Sequence, residues 1–205
     1  MLVLAAWLGL VLTGAVRAQA LTVRAVFAPD SAFLPQRKEV GAVETLFDAA
    51  PRRTVMHGNA VLVRTGLAIT ASHCVVRTGC RRQELTVDGR PAQVLVVRDE
   101  LALLGVAGDL AVKPARWLET WDPLSPAEGE RLVHRYWSRE SGHMEERLVT
   151  WHGSSYVSEG FVPGMSGSGL FTLPGRLVGV AESVNGFAHG PLELVVFLEG
   201  AAGPP

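Results

Sequence analysis

Short apolar runs, rich in valine and leucine, recur along most of this chain, separated by glycine, proline, aspartate and asparagine. Such runs, bounded by turn-forming residues, are typical of β-strands. The ten candidates form two groups of five: Ala60–Arg64, Leu67–Thr70, Glu84–Val87, Ala92–Val97 and Leu101–Val106, then Arg131–Trp137, Arg147–Trp151, Gly169–Leu173, Leu177–Ser183 and Leu192–Leu198. This pattern predicts an all-β protein of two small barrels or sheets.

Turns and a linker divide the chain further. The turn-forming pairs between candidate strands are Thr65-Gly66, Asp88-Gly89 and Pro174-Gly175, and they favour hairpins. A proline-marked stretch separates the two groups, so we expect a first barrel at 54–112, a linker at 113–130 and a second barrel at 131–205. Residues 21–53 are either a pro-region or a strand and helix packed on the barrels, with the helix at 39–50.

The first 20 residues have the pattern of a secretory signal. Met1 to Val16 is almost wholly apolar and is followed by Ala18-Gln19-Ala20, a small-x-small cleavage signature. The apolar run is too short for a comfortable membrane span. We therefore expect a secreted or periplasmic protein with no stable membrane span once the signal is removed. The formal net charge of −1 provides no basic field for nucleic acid.

The two cysteines, Cys74 and Cys80, have five residues between them. This spacing differs from that of a zinc CxxC pair, and a metal site would need His57, His73 or others to converge on them. Because export makes a disulfide possible, we predict a local disulfide and no metal site.

Three further stretches carry side chains that can do chemistry. "GLAITASHCVV" puts His73 at the end of an apolar run, "VVRDELALLGV" puts Asp99 and Glu100 between two runs, and "PGMSGSGLF" contains Ser166. Taken alone, each stretch has an ordinary explanation: the histidine can be structural, the acids can be surface charge, and the glycine-rich stretch can be a flexible turn. Together they supply what a nucleophilic hydrolase needs, because a serine requires a base to accept its proton and the base requires an acid to orient it.

The glycines around Ser166 indicate a backbone shaped around a ligand. Glycine reaches unusual backbone angles and lets a ligand approach the backbone closely. The turn from Gly164 to Gly169 is rich in glycine. The backbone N–H groups of Gly164 and Ser166 could converge there on a developing oxyanion.

These motifs resemble those of the chymotrypsin-fold (trypsin-like) serine peptidases. "ITASHC" is similar to the family's (I/L)TAAHC, "ELALLGV" to its D-(I/L)-A-L-L strand, "GMSGSGLF" to G-D-S-G-G-P-L, and "GRLVGVAESV" to the strand after the serine. The resemblance spans about residues 55–183. It implies two small antiparallel β-barrels, six strands each in the family, with the active site in the cleft between them.

The resemblance also assigns roles. His73 would be the general base, Ser166 the nucleophile, and Gly164 and Ser166 the oxyanion-hole donors. Aligned on "LALL", the family's aspartate falls on Glu100, and Asp99 is the alternative acid because neighbouring side chains of an extended chain point to opposite faces. The implied activity is cleavage of polypeptide substrates through an acyl-enzyme, without metal or organic cofactor.

Two departures from the family pattern indicate its bacterial-type branch. Met165 stands where zymogen-activated relatives have an aspartate that pairs with a new N-terminus, and the chain lacks an Ile-Val-Gly-Gly-like start. Animal relatives often join the cysteine beside the histidine to an upstream strand. Here Cys80 is the only available partner for Cys74.

The predicted specificity pocket also differs from that of trypsin. Gly160 occupies the place of the aspartate that selects arginine or lysine, while Glu182 and Val184 replace a serine and a glycine of the pocket wall. Because valine narrows the entrance, we expect small aliphatic residues before the cut. Two other functions stay open: a catalytically inactive homologue that binds peptides or proteins, and an unrelated secreted β-sandwich.

Overall fold

The computed structural model describes residues 20–30, 53–110, 126–153, 161–182, 186 and 188–202. The signal segment up to residue 19, the expected helix at 39–50, most of the linker, Gly160 and Val184 lie outside this range. The elements are β1 (Ala20–Pro29), β2 (Thr54–Arg64), β3 (Leu67–Ala71), β4 (Cys80–Val87), β5 (Arg90–Arg98), β6 (Leu101–Val106), β7 (Arg131–Trp137), β8 (Met144–Thr150), β9 (Gly169–Phe171), β10 (Leu177–Ala181), β11 (Ala188–His189) and α1 (Pro191–Ala202).

Six antiparallel strands form a closed first barrel in the order β1-β2-β3-β6-β5-β4. All five strands predicted for the first group belong to it. β1 closes the barrel by pairing with β2 on one side and β4 on the other. Its alternate residues Leu21, Val23, Ala25 and Phe27 are buried in the interior. Removal of residues 20–29 would therefore open the barrel and expose its core.

Residues 58–63 of β2 are buried on both faces, which explains the continuous apolar run there. Ala60 and Leu62 point into the barrel interior, while Val61 and Val63 point outward into a second cluster that contains Phe171 and other residues of the C-terminal half. Successive side chains of a strand face opposite ways, so one strand contributes to both clusters. The outer cluster joins the barrel to the second half of the molecule.

The second half is a five-stranded antiparallel sheet in the order β11-β10-β9-β7-β8. It contains the four further predicted strands that the structure confirms, and within the described residues it has one strand fewer than the expected barrel. Its core includes Trp151, Leu132 and Met165. The molecule is all-β with two packed β units, as expected.

The predicted strand Leu192–Leu198 is wrong, because these residues lie in helix α1. Pro191 begins the helix, where its missing N–H costs no hydrogen bond, and Glu193 lies in the first turn. The buried residues Leu194, Phe197 and Leu198 follow a helical spacing and pack in the outer cluster. Among the described residues, no helix is long and apolar enough to cross a membrane.

The predicted disulfide is also wrong, since Cys74 and Cys80 are both free thiols. The Cys74 sulfur faces the core beside Gly58, where a Cβ would lie 2.5 Å from it, and donates to the Ser166 carbonyl at 3.7 Å. Cys80 instead begins β4, opposite Pro29 of β1. Cys80 packs, partly buried, against the same core cluster that contains Cys74, but the two sulfurs are not bonded, so short sequence separation alone does not make a disulfide.

We expect the two thiols to differ sharply in reactivity. Burial raises the pKa of Cys74 to about 11, so at neutral pH this thiol is protonated and poorly nucleophilic. Cys80 is only half-buried. Iodoacetamide at pH 7.5 should alkylate Cys80 alone in native protein and both residues in denaturant, as read by peptide mass spectrometry. Two unmodified cysteines in peptides joined by a disulfide would contradict this expectation.

Candidate active site

His73 lies in a short 3-10 turn, Ser72–Cys74, directly after β3. β3 is buried from Ala68 to Ala71, so the turn starts from a rigid base. The Ser72 N–H donates to the Glu100 carbonyl at 2.7 Å and joins this turn to the β5–β6 hairpin. Ser72 and Cys74 are buried, while the His73 side chain is exposed.

The two candidate acids form the tip of the β5–β6 hairpin, between paired Arg98 and Leu101. Both have positive φ, +47° for Asp99 and +64° for Glu100. A two-residue turn of this kind favours asparagine or glycine, and a left-handed backbone costs other residues about 1–2 kcal/mol. The chain keeps two carboxylates here despite that cost.

The side chains of the two acids go to different partners. The Glu100 carboxylate accepts a hydrogen bond from the Ser72 hydroxyl at 3.0 Å, which holds it beside the residue before His73. The Asp99 carboxylate pairs with Arg98 at 3.0 Å and its side chain is 82% exposed. Glu100 is therefore attached to the histidine segment, and Asp99 faces solvent.

Two consecutive tight turns shape the segment around Ser166. The Met165 N–H donates to the Val162 carbonyl at 3.1 Å, and the Ser168 N–H to the Met165 carbonyl at 3.0 Å. The third residues of these turns are Gly164 and Gly167, with φ of +97° and +84°. Positive φ at that position defines a type II turn and favours glycine. Met165, buried in the second core, anchors the segment.

The predicted oxyanion donors have no partner in the part of the chain that the structure describes. Among the described residues, the N–H groups of Gly164 and Ser166 have no hydrogen-bond acceptor, whereas those of Met165, Gly167 and Ser168 all have one. Both residues are half-buried, so water or a ligand can reach these two donors. Two such donors, separated by one residue in a glycine-rich turn, are what an oxyanion site requires.

The histidine and serine segments are in direct contact although they are far apart in sequence. The Cys74 sulfur, next to His73, contacts the Ser166 carbonyl. A Cβ on Gly167 would clash with the Asn59 carbonyl and the Thr70 hydroxyl, so glycine is needed where the two halves meet. No hydrogen bond joins the His73 ring to Glu100, Asp99 or Ser166 among these described residues.

Sequence reasoning missed Asn59, a 1% exposed residue of β2. Its backbone N–H donates to the Ser166 carbonyl at 2.8 Å, and its side-chain amide donates to the Gly164 carbonyl at 2.7 Å. Its position in "HGNAVLV", as a single amide side chain beside an apolar run, is the signal that could have drawn attention to it.

A second histidine–serine pair lies in the core. His134 Nε2 is 2.6 Å from the Ser168 hydroxyl, and both residues are fully buried. Arg147 Nε donates to His134 Nδ1 at 3.2 Å, so Nδ1 is the acceptor and Nε2 carries the proton. The ring donates to Ser168 and cannot act as its base. This pair is structural.

We expect His134 to make the fold sensitive to acid. Burial, with a smaller contribution from Arg147, lowers the pKa of His134 to about 3, against about 6.5 in an unfolded chain. Between these values only the unfolded state binds the proton, so the free energy of unfolding falls as pH drops below about 6.5, by up to about 1.4 kcal/mol per pH unit. Urea unfolding at pH 7 and pH 5 should show a smaller difference for His134→Gln than for wild type.

The exposed His143 provides the matched control for that measurement. His143→Gln should keep the wild-type pH dependence, because it removes an exposed imidazole and leaves the buried His134 in place. Equal slopes for the His134 and His143 variants would show that burial of His134 does not govern the acid response.

Of the predicted specificity residues, the structure describes only Glu182. Its carboxylate is 3.5 Å from His189 Nε2. His189 also lines a cavity of about 330 Å³ with Asp99, Leu101, Glu193, Val196 and Phe197. Neither His73 nor Ser166 lines this cavity. Among the described residues, no three His, Cys, Asp or Glu side chains are arranged to hold a metal ion.

The architecture, with a closed six-stranded barrel packed on a second antiparallel sheet and the His73 and Ser166 segments meeting between them, is the chymotrypsin fold. The chain is similar to solved structures of the Rv3671c protease of M. tuberculosis. The active form aligns with a TM-score of 0.61 at 16% identity, covering 98% of this chain and 88% of that one. A serine-to-alanine mutant in an inactive form aligns at 0.58 and 16%, covering 89% and 88%.

A further inactive form of that protease aligns with a TM-score of 0.55 at 18% identity and covers 72% of this chain and 85% of that one. No protein-family model matches the sequence, and no curated protein does. At these identities the likeness establishes the fold alone.

Proposed function

We propose that this chain is a secreted or periplasmic serine endopeptidase that hydrolyses peptide bonds through an acyl-enzyme. The observation that carries the proposal is the pair of N–H groups at Gly164 and Ser166, which have no acceptor among the described residues, in a segment that contacts the turn bearing His73. The similar solved structures are described as a protease, which agrees with it. The signal-like first 20 residues support export.

In this mechanism the Ser166 hydroxyl attacks the substrate carbonyl while His73 takes its proton. The carbonyl oxygen becomes an oxyanion that accepts hydrogen bonds from the Gly164 and Ser166 N–H groups. The imidazolium then protonates the leaving amine, and the peptide bond breaks. Water, deprotonated by His73, hydrolyses the resulting ester and regenerates Ser166.

Glu100 is the proposed acid that orients His73 and stabilises its charged form. The hydrogen bond from Ser72 keeps its carboxylate next to the histidine turn, whereas Asp99 pairs with Arg98 in solvent. In this substrate-free structure the His73 ring makes no hydrogen bond to Glu100 or Ser166 within the described residues. Catalytic hydrogen bonds are often long in free enzymes and tighten in the substrate complex.

The alternative function is a catalytically inactive homologue that binds peptides or proteins in the cleft. The lack of a hydrogen bond from the His73 ring to Glu100 or Ser166 within the described residues favours it, as does a glutamate where the family has aspartate. A fluorophosphonate probe separates the two readings, because only an activated serine reacts with it. We expect one label per chain, on Ser166. Unlabelled wild-type protein that still binds peptides would establish the alternative.

Gly164→Ala should remove activity without unfolding the protein. A Cβ at this position has room, with Arg139 Cδ 3.7 Å away, but φ of +97° is unfavourable for alanine. Reversal of the central peptide relieves the strain by converting the turn from type II to type I, which turns the Gly164 N–H away from the oxyanion. We expect kcat to fall by up to about 10²–10³, with KM nearly unchanged.

Gly175→Ala is the matched control for this substitution. Gly175 has a similar φ of +91°, and a Cβ there would meet nothing within 4 Å. It should lose similar stability in thermal unfolding and keep wild-type kcat. Equal activity of the two variants would show that the conformation of Gly164 does not govern turnover.

A further inference from the structure

Asn59 uses its backbone and side chain to hold the nucleophile segment. Its side-chain and backbone N–H groups donate to the Gly164 and Ser166 carbonyls, respectively. Its side-chain oxygen accepts the Trp137 N–H at 2.6 Å, and its backbone carbonyl accepts the Thr70 hydroxyl at 2.5 Å. The side-chain amide has a donor partner on one side and an acceptor partner on the other, both backbone groups. Its orientation is therefore unambiguous.

The two carbonyls that Asn59 binds flank one of the proposed oxyanion donors. They belong to the peptide groups Gly164–Met165 and Ser166–Gly167, and the group between them, Met165–Ser166, carries the Ser166 N–H. When both flanking peptide planes are held by hydrogen bonds, the middle plane cannot rotate independently. The bond to the Gly164 carbonyl also restrains the turn whose reversal would displace the other donor.

This segment needs an external restraint because its own sequence does not provide rigidity. Gly164 and Gly167 both have positive φ, and glycine has more accessible backbone conformations than any other residue. Met165 secures the side facing the second core. Asn59, itself almost fully buried, secures the opposite side from the first barrel through its hydrogen bonds to the Gly164 and Ser166 carbonyls, and an unpaired polar group at a buried residue is costly.

We propose that Asn59 is the positioning residue of the oxyanion hole, holding the Gly164 and Ser166 N–H groups toward the substrate from β2 of the first barrel. The proposal rests on the peptidase function above. A positioning role predicts a different result from a purely structural one. Loss of the hydrogen bonds from Asn59 to the Gly164 and Ser166 carbonyls should weaken transition-state binding far more than substrate binding.

Asn59→Asp tests this with a nearly isosteric change. The aspartate can still accept the Trp137 N–H, but it places a second acceptor against the Gly164 carbonyl. We expect kcat/KM for a peptide substrate to fall about 100-fold. The inhibition constant of a peptide trifluoromethyl ketone, whose adduct carries the oxyanion, should rise by the same factor while KM changes less than twofold.

Val106→Ala provides the control for stability. Val106 is a core residue of the first barrel on β6 and contacts neither Asn59 nor the Ser166 segment through any hydrogen bond described above. It should lower the melting temperature and leave kcat and the inhibition constant at wild-type values. Wild-type kcat in Asn59→Asp, or a lowered melting temperature as its only effect, would overturn the proposal.

Hydrogen exchange measures how firmly Asn59 holds the Ser166 segment, without relying on activity. Amides of residues 162–170 should exchange faster in Asn59→Asp than in wild type or Val106→Ala, and equal exchange in all three proteins would overturn the inference. Failure of wild type to react with a fluorophosphonate would instead overturn the peptidase function, while the exchange comparison still decides whether Asn59 holds the segment. If Asn59→Asp does not fold, Asn59→Ser takes its place with the same expectations.

Discussion

Ser166→Ala and His73→Ala should each abolish peptide hydrolysis while leaving the protein folded. Without the Ser166 oxygen no acyl-enzyme forms, and without the His73 ring nothing accepts its proton. Because such residues act as a unit, either loss should cost about 10⁶-fold in kcat, and the double variant should be hardly worse than either single one.

Both side chains can be removed with little structural cost. His73 is exposed and Ser166 is only partly buried, so the variants should unfold at the wild-type temperature in circular dichroism. Turnover of a fluorogenic peptide and labelling by a fluorophosphonate are the two measurements. Substantial residual hydrolysis in Ser166→Ala would show that a different group is the nucleophile and would end the proposed mechanism.

Glu100→Gln should cost about 10⁴-fold in kcat, while Asp99→Asn should cost less than about threefold. The carboxylate of Glu100 is hydrogen-bonded to Ser72, directly before His73, so an amide there would favour the wrong tautomer of the imidazole and remove the charge that stabilises imidazolium. Asp99 interacts with Arg98 in solvent, and an exposed ion pair of this kind contributes little.

The two substitutions control for one another, because both are isosteric and both residues have positive φ in the same turn. Both variants should therefore stay folded at the assay temperature, and the difference in kcat should report the acid. The reverse ranking, with Asp99→Asn the more damaging, would assign the acid to Asp99. Equal and small effects would leave His73 without a catalytic acid and favour the inactive-homologue function.

Much of the fold follows from local patterns. Nine of the ten predicted strands are present, since runs such as Leu101–Val106 combine valine and leucine content with flanking turn residues. The hairpin pairs Thr65-Gly66, Asp88-Gly89 and Pro174-Gly175 connect consecutive strands as expected. These features depend on interactions within a few residues, which a sequence displays directly.

The helix α1 shows where local patterns are insufficient. "LELVVFL" satisfies both a short strand and a buried helix, because apolar runs of this length do not distinguish the two periods. Packing decided the outcome: Leu194, Phe197 and Leu198 cover the outer face of the first barrel in one cluster with Val61 and Val63. Similarly, five intervening residues suggested a Cys74–Cys80 bond, but the structure leaves both thiols free.

By itself, the sequence determined the all-β class, the succession of strands and the three stretches that contain His73, Glu100 and Ser166, because strand periodicity and glycine-rich turns are short-range properties. Only the tertiary structure decided which groups meet. It directed Glu100 to Ser72 and Asp99 to Arg98, and it joined Asn59 to a segment 105 residues away. Those contacts depend on barrel closure and on the packing of two β units, which set the positions of residues that no local pattern relates.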